Sequence, residues 1–438
     1  MRRRSRVGVT ALAAIVVVTA GVMAISGEAV AADGAAGGGS YQAEAGVLAR
    51  VEVFDGVLDL WPLNLVGTSR DREIRIESDL GVSTALGGGL QPDRAAFRVT
   101  GLGGAATLTA GFDKPRWGAG RYRTLILSDS VRPYEQVRAD IHLDTRLGGV
   151  EYSRLAGKLE PLDDTYLLGH RLEYWPWPWL RLGATETAIV SGRFARQAVN
   201  WLPLWPFYLT QHIQLKRGLN INNDDNENVG LDATVSLNRD SSLYGEFFVD
   251  DMPQNPANHG LYQIGFLAGA VIKAPVVGGI QLGAEYARVN NYTYTFQDSS
   301  KSYVHYGQPL GFLLGPDTDS LIVMATKKQP FELGAGFEFR RHGPGRLGDN
   351  WESPDIGWEK GRQRQFLYHD ENTPIEKTLL GRIQAAYTLA DAAGSPRVEG
   401  SLAVGRSQDA GNKPGAVAPV VEFTVAVRWG FSGPGSGR

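Results

Sequence analysis

The sequence predicts an all-β protein, a transmembrane antiparallel β-barrel with long extracellular loops. Three observations lead there. The N-terminus reads as an export signal. Apolar and polar residues alternate over segments of about 9 to 13 residues, close to the ~9–11 that cross a bilayer at a tilt. The final segment ends in aromatic residues, Trp429-Gly430-Phe431.

The export signal comes first. Arg2, Arg3, Arg4 and Arg6 precede an apolar stretch from Val7 to Ile25, and Ala29-Val30-Ala31 offers a small-residue cleavage site. Charge, apolar run and small residues in that order mark a secretory signal peptide, residues 1–31. Residues 32–45, with Gly34, Gly37, Gly38 and Gly39, read as a flexible leader. The barrel is expected over 46–431, followed by a short tail, 432–438. Past Ile25 no run reaches the ~18 apolar residues of a membrane helix.

The alternation is clearest near the C-terminus. Val421, Phe423, Val425, Val427, Trp429 and Phe431 share one face of a strand. Phe331, Leu333, Ala335, Phe337 and Phe339 do the same opposite Glu332, Glu338 and Arg340. Segments beginning at Val229, Leu379 and Val398 repeat the pattern. A soluble sandwich also alternates, with its apolar faces in a core. Segment length, charges in mid-strand and the aromatic terminus favour a barrel with its apolar face to lipid. Counting segments gives ~16 to ~20 strands, enough for an aqueous lumen. Residues 186–226 and 342–377 are irregular and read as loops.

Composition excludes several classes. A formal net charge of -3 gives no nucleic-acid footprint. The absence of cysteine removes disulfides, thiolate metal sites and cysteine nucleophiles. Hydrophobic content of 43% does not suit a helical membrane protein but suits a barrel, in which only one side of each strand meets lipid. None of the seven histidines pairs at metal-ligand spacing, so no metal or cofactor is expected. No spaced acid, base and nucleophile is evident, so the chain is not read as an enzyme. Asn222 to Glu227 is rich in oxygen ligands for Ca²⁺ but reads as a solvated loop leading into the next strand. Asp250-Asp251 reads as a strand end. The run from Tyr174 to Trp179, with Trp175 and Trp177, reads as an interfacial girdle, sugar stacking being the alternative; Trp201, Trp205, Phe207 and Tyr208 extend the aromatic character.

Several motifs in order are familiar. Asp113-Lys114-Pro115-Arg116-Trp117-Gly118-Ala119-Gly120, followed by Leu125-Ile126-Leu127-Ser128, resembles a segment of the Wzi family of capsule assembly proteins. So do Leu168 to Tyr174, Leu243 to Asp251, Asn291 to Tyr294, and His305-Tyr306-Gly307. The resemblance implies an outer-membrane barrel of about eighteen strands that acts as a surface lectin, binding and organising capsular or other surface polysaccharide. Its partners would be the lipid bilayer, that polysaccharide and, during biogenesis, the barrel-insertion machinery, which reads an aromatic C-terminal strand. The short stretch before the first strand leaves little room for the periplasmic helical bundle of some members. Arg116, Trp117, Arg121, Arg132 and Tyr134, in or near the first motif, are the candidate polysaccharide contacts. The alternative is a general or anion-preferring porin, with Arg116, Arg121, Arg123, Arg138 and Arg382 lining the lumen.

Overall fold

Period-two segments separated by turn residues form antiparallel strands paired with their sequence neighbours. The structure, a computed structural model, describes residues 40–432 apart from 53–56, 60–63, 70–71, 84–88, 102–103, 160–163, 192–205, 208–224, 252–261, 275–278, 297, 329–330, 350–365, 368–370 and 389–396. For 40–95, 97, 397, 399 and 423–432 only the backbone is described. The signal peptide, the leader up to residue 39, most of the tail, and Trp201, Trp205 and Tyr208 therefore lie outside the described residues. The chain divides into a unit of residues 1–38 and a unit of residues 39–438, and the described residues belong to the second.

The strands are β1 Ser40–Glu52, β2 Val57–Asp59, β3 Asn64–Ser69, β4 Arg72–Ser83, β5 Gly89–Gly101, β6 Ala106–Asp113, β7 Tyr134–Thr145, β8 Gly148–Lys158, β9 Thr165–Trp177, β10 Leu180–Ser191, β11 Asn226–Asn238, β12 Ser241–Asp251, β13 Gln263–Lys273, β14 Ile280–Val289, β15 Val304–His305, β16 Gln308–Pro309, β17 Thr318–Lys327, β18 Glu332–His342, β19 Glu376–Thr388, β20 Arg397–Gln408 and β21 Val417–Ser432. Fifteen of them, β5 to β14 and β17 to β21, make one antiparallel sheet of consecutive neighbours. With β1–β4 the sheet has nineteen strands, β1 pairing with both β21 and β3. β15 and β16 form a separate ribbon within the β14–β17 connection.

Two sequence boundaries move. β1 begins at Ser40, taking up the last six residues of the stretch read as leader. β10 runs on to Ser191, so residues 186–191, read as the start of a loop, are strand. Their alternation is obscured because Ala188 and Val190 on one face and Ile189 on the other are all buried. The reading of 342–377 as a loop agrees with a connection spanning 343–375.

Connections alternate in length. At one end β7–β8, β9–β10 and β11–β12 are joined by two-residue turns. At the other lie the long connections 114–133, 192–225, 290–317 and 343–375. Short turns on one rim and long loops on the other are the pattern of outer-membrane barrels.

The two faces have opposite chemistry. One carries Arg171, Asp232, Glu246, Glu285 and Glu338, all buried. The other carries large exposed apolar side chains on successive strands, including Leu231, Leu282, Phe337, Leu379, Ile383 and Val404. Ile383 is 58% exposed and Leu282 50%. Exposed apolar rows this extensive are untenable in water but suited to acyl chains, each such side chain gaining ~1.5–3 kcal/mol on leaving water. The charged face is the lumen.

Polar exceptions on the outer face are covered. Arg154, His170 and Glu186 sit side by side on β8, β9 and β10. His170 Nε2 lies 2.8 Å from Glu186 Oε2. Phe207, from the 192–225 connection, stacks on the His170 ring at 5.1 Å and lies under the Arg154 guanidinium at 4.8 Å. The aromatic run sits at the short-turn end, where Trp177 and Trp179 are half-exposed and stacked at 5.1 Å. Phe331 and Tyr387, 5.0 Å apart, continue the aromatic character at that end. These are positions for rings that span a polar and an apolar phase.

Candidate functional site

The connection 114–133 turns into the lumen. Its two limbs are held by an antiparallel bridge, Trp117 N to Leu127 O at 2.9 Å and Leu127 N to Trp117 O at 3.2 Å. Between them the chain folds so tightly that its amides point outward, and the wall supplies carboxylates to receive them. Glu246 on β12 accepts from Gly120 N at 2.5 Å, Leu125 N at 2.6 Å and Thr124 Oγ1 at 3.1 Å. Glu285 on β14 accepts from Arg121 N at 2.7 Å, Tyr122 N at 3.0 Å and Arg123 N at 2.7 Å. Five backbone donors that would otherwise be stranded are satisfied by two charged acceptors, which bind more strongly than neutral ones.

The Trp-Gly-x-Gly spacing now has a mechanical cause. Gly118 has φ +122°, and a β-carbon there would collide with Thr124 Oγ1 and Glu246 Oε1. Gly118→Val is expected to destabilise the folded barrel by about 2 kcal/mol or more. The measurement is the urea midpoint of the purified protein in detergent, and an unchanged midpoint contradicts the assignment.

A second long connection locks the first in place. Leu125, Ile126 and Leu127 are fully buried and pack with Phe248, Tyr294, Tyr303 and Phe312 in one apolar cluster. Tyr294 Oη donates to Leu125 O and Tyr303 Oη to Ile126 O, both at 2.8 Å. Burial pushes the Tyr294 phenol well above the usual tyrosine range, so it remains a donor. Ser128 N donates to Leu310 O at 2.7 Å. Asp250 accepts from Tyr294 N at 2.5 Å, so the strand-end carboxylate anchors this connection.

On its far side the inserted loop meets a charge network. Arg123 Nη2 lies 2.8 Å from Glu338 Oε1 on β18. Arg340 bridges Glu338 and Glu422 at 2.8 Å each, and Arg382 reaches Glu422 at 2.8 Å and Glu338 at 2.7 Å. A cavity of about 570 Å³, with polar and apolar lining mixed, remains between Tyr122 and Arg123 and the wall of β17–β21.

The five candidate contacts separate by environment. Trp117 is 5% exposed and packs against Gly169, where a β-carbon would lie 2.7 Å from Trp117 Cζ3. The first and second family motifs therefore meet in space. Tyr134 is 1% exposed and makes an edge contact with His305 at 5.6 Å. Arg116 braces its own loop, reaching Asp129 at 2.8 Å, Gly120 O at 2.5 Å and Arg123 O at 3.0 Å. Arg132 lies over the Tyr306 ring at 5.1 Å. Arg121 directs its side chain to solvent. Of the arginines expected to line a lumen, Arg116, Arg123, Arg138 and Arg382 all have carboxylate partners. They do not make the unpaired basic lining expected of an anion pore.

Sequence reasoning missed a hollow of about 460 Å³ at the long-loop end, between residues 307–316 and 342–347. Gln308, His342 and Arg346 give it polar edges. Arg346 is tied to Asn412 Oδ1 at 2.5 Å and His342 Nδ1 at 3.1 Å. Buried Asp317 gathers the segments beneath it, accepting from Gly345 N at 3.0 Å and Leu367 N at 2.5 Å.

Among curated protein sequences none matches the chain. The structure is similar to that of Wzi from Escherichia coli, an outer-membrane carbohydrate-binding β-barrel involved in group 1 capsule assembly. The TM-score is 0.58 at 15% identity, covering 89% of this chain and 84% of that one. It is also similar to OccD3 of Pseudomonas aeruginosa, at TM-score 0.50 and 11% identity over 92% and 93% of the two chains. OprD of the same organism gives TM-score 0.50 and 12% identity over 91% and 95%. At these identities the likenesses establish the barrel fold. The profile of the family described as capsule assembly protein Wzi matches residues 96–389, which include the inserted loop, its carboxylate anchors and the hollow above it. On that match the chain belongs to the Wzi family of capsule assembly proteins.

Proposed function

We propose that the protein sits in the bacterial outer membrane, after export by a cleaved signal peptide, and binds capsular or other surface polysaccharide at its long-loop end. Its role is to organise that polymer, with no reaction catalysed. The observation that carries this reading is a loop anchored across the lumen in a chain of the capsule assembly family. A loop so anchored narrows the path for solute and gives the long-loop end a rigid support.

Polymer contact is assigned to the hollow bounded by Gln308, His342 and Arg346, together with Arg132; Arg121, whose amide is bound by Glu285 in mid-barrel, lies below that surface. Arginine and histidine suit acidic sugars, and about 460 Å³ accommodates one or two sugar rings. Trp117, Tyr134 and Arg116 serve that surface by holding the loop. Lipid bilayer and barrel-insertion machinery are the remaining partners, the latter reading the aromatic end of β21.

Purified protein in detergent is expected to retain surface glycan from its own host on a binding sensor. Gln308→Ala with Arg346→Ala is expected to weaken that retention about tenfold, the order of two lost sugar hydrogen bonds. Deletion of the gene is expected to reduce surface-held polymer without reducing its synthesis. Absence of any glycan binding, together with a large stable current in planar bilayers, would establish the porin reading instead.

A further inference from the structure

The outer face above the apolar rows is not uniform. On the β14–β20 side, register places Arg288, Asp319, Arg341 and Lys377 in one row across four adjacent strands. Arg406 on β20 lies one step lower, opposite Leu379. Paired residues in an antiparallel sheet project from the same face. That face is the lipid-side one, because Phe337, Leu379 and Val404 on it are exposed apolar side chains two to four residues below the row.

Among the described residues three cations thus share this row with one carboxylate, and Arg406, one step lower, is long enough to reach up to the same level. Asp319 is buried and taken by Arg341, whose Nε donates to Asp319 Oδ1 at 3.0 Å. Arg288 is held against the Phe366 ring at 3.6 Å. Lys377 and Arg406 are exposed, and neither has a carboxylate within salt-bridge distance among the described residues. On the β8–β10 side the corresponding row, Arg154, His170 and Glu186, carries its own carboxylate, so the basic excess is local.

We propose that this row binds the phosphate groups of an anionic lipid in the outer leaflet, acyl chains lying against Phe337, Leu379 and Val404 beneath it. The inference rests on the outer-membrane placement proposed above. Depth and charge together choose the ligand. Two residues along a tilted strand raise a side chain by about 5 Å, which is headgroup level directly above the apolar band. Exposed Lys and Arg at that level attract anionic headgroups. An acidic polymer bound to the loops would pass above the row and gain nothing from the apolar side chains below.

The test uses the full-length folded protein in detergent and native mass spectrometry, with diphosphoryl lipid A as probe and chemically dephosphorylated lipid A as its partner. Wild type is expected to retain the phosphorylated lipid at least fivefold more than the dephosphorylated one. Lys377→Gln with Arg406→Gln is expected to cut that retention about tenfold, two charges being removed from the headgroup level. Neither side chain is buried, and heat-modifiable gel mobility verifies that the variant is folded. Equal retention by variant and wild type overturns the proposal, as does equal retention of the two lipids. Loss of acidic-glycan binding in the variant with lipid retention intact also overturns it and assigns the row to polymer. A protein that shows no heat-modifiable mobility and stays soluble without detergent refutes the membrane placement itself, a result distinct from all of these.

Discussion

Replacing Glu246 and Glu285 together by Ala is expected to give a stable single-channel current well above that of the wild type. The pair receives five backbone amides of the 114–133 loop, at 2.5 to 3.0 Å. A hydrogen bond to a charged acceptor contributes about 1.5–3 kcal/mol, and a buried amide left without a partner costs ~1–3 kcal/mol. Several kcal/mol therefore shift from holding the loop in the lumen to favouring its release into water, where the amides are solvated. Single-channel recording in planar bilayers reads the outcome. Glu246→Gln, which keeps one carbonyl acceptor, should be intermediate. A double variant that conducts no more than wild type would show that the loop is held by its apolar contacts with Tyr294, Tyr303 and Phe312 alone.

The second large effect is expected at Arg171. Its guanidinium is 2% exposed, lies inside the wall and meets Asp232 twice, at 2.6 and 3.0 Å, with Thr185 at 2.8 Å and Glu173 at 2.7 Å. Gly183 leaves the space, since a β-carbon there would run into both Arg171 and Asp232. Arg171→Leu strands a carboxylate that is fully out of solvent, and breaking a buried pair in this way costs about 3–5 kcal/mol. The heat-modifiable transition of the variant should fall well below that of wild type. Arg171→Leu with Asp232→Leu should recover most of the loss, because no unpaired charge is left. A double variant as unstable as the single would contradict the pairing argument.

The strands were legible because their signal is local. Leu231 and Asp232, or Phe337 and Glu338, announce opposite faces within two residues, and their burial follows that parity. The destination of a loop is not local. Nothing near Gly120 shows that its acceptor is Glu246, on β12 and 126 residues later. An aromatic residue beside glycines and arginines fits sugar recognition as well as tight packing, and at Trp117 the packing is what the structure shows. A clue was present in the isolated glutamates of β12, β14 and β18, each flanked by apolar or small residues on its strand. The outer polar row had no legible cause either. His170 lies in a family-like motif, but its cover, Phe207, belongs to a distant connection.

Where the inserted loop finds its anchors also orders events in time. Its partners on the wall lie 126, 164 and 215 residues further along the chain. Contacts between residues so far apart form late, because the intervening chain must first be arranged. The early hairpins can zip up with the lumen still empty, and the loop seats only once β18 is in place. Assembly of this protein should therefore pass through a wet, open-centred intermediate, whose closing step is the slowest and the one most sensitive to truncation from the C-terminal side.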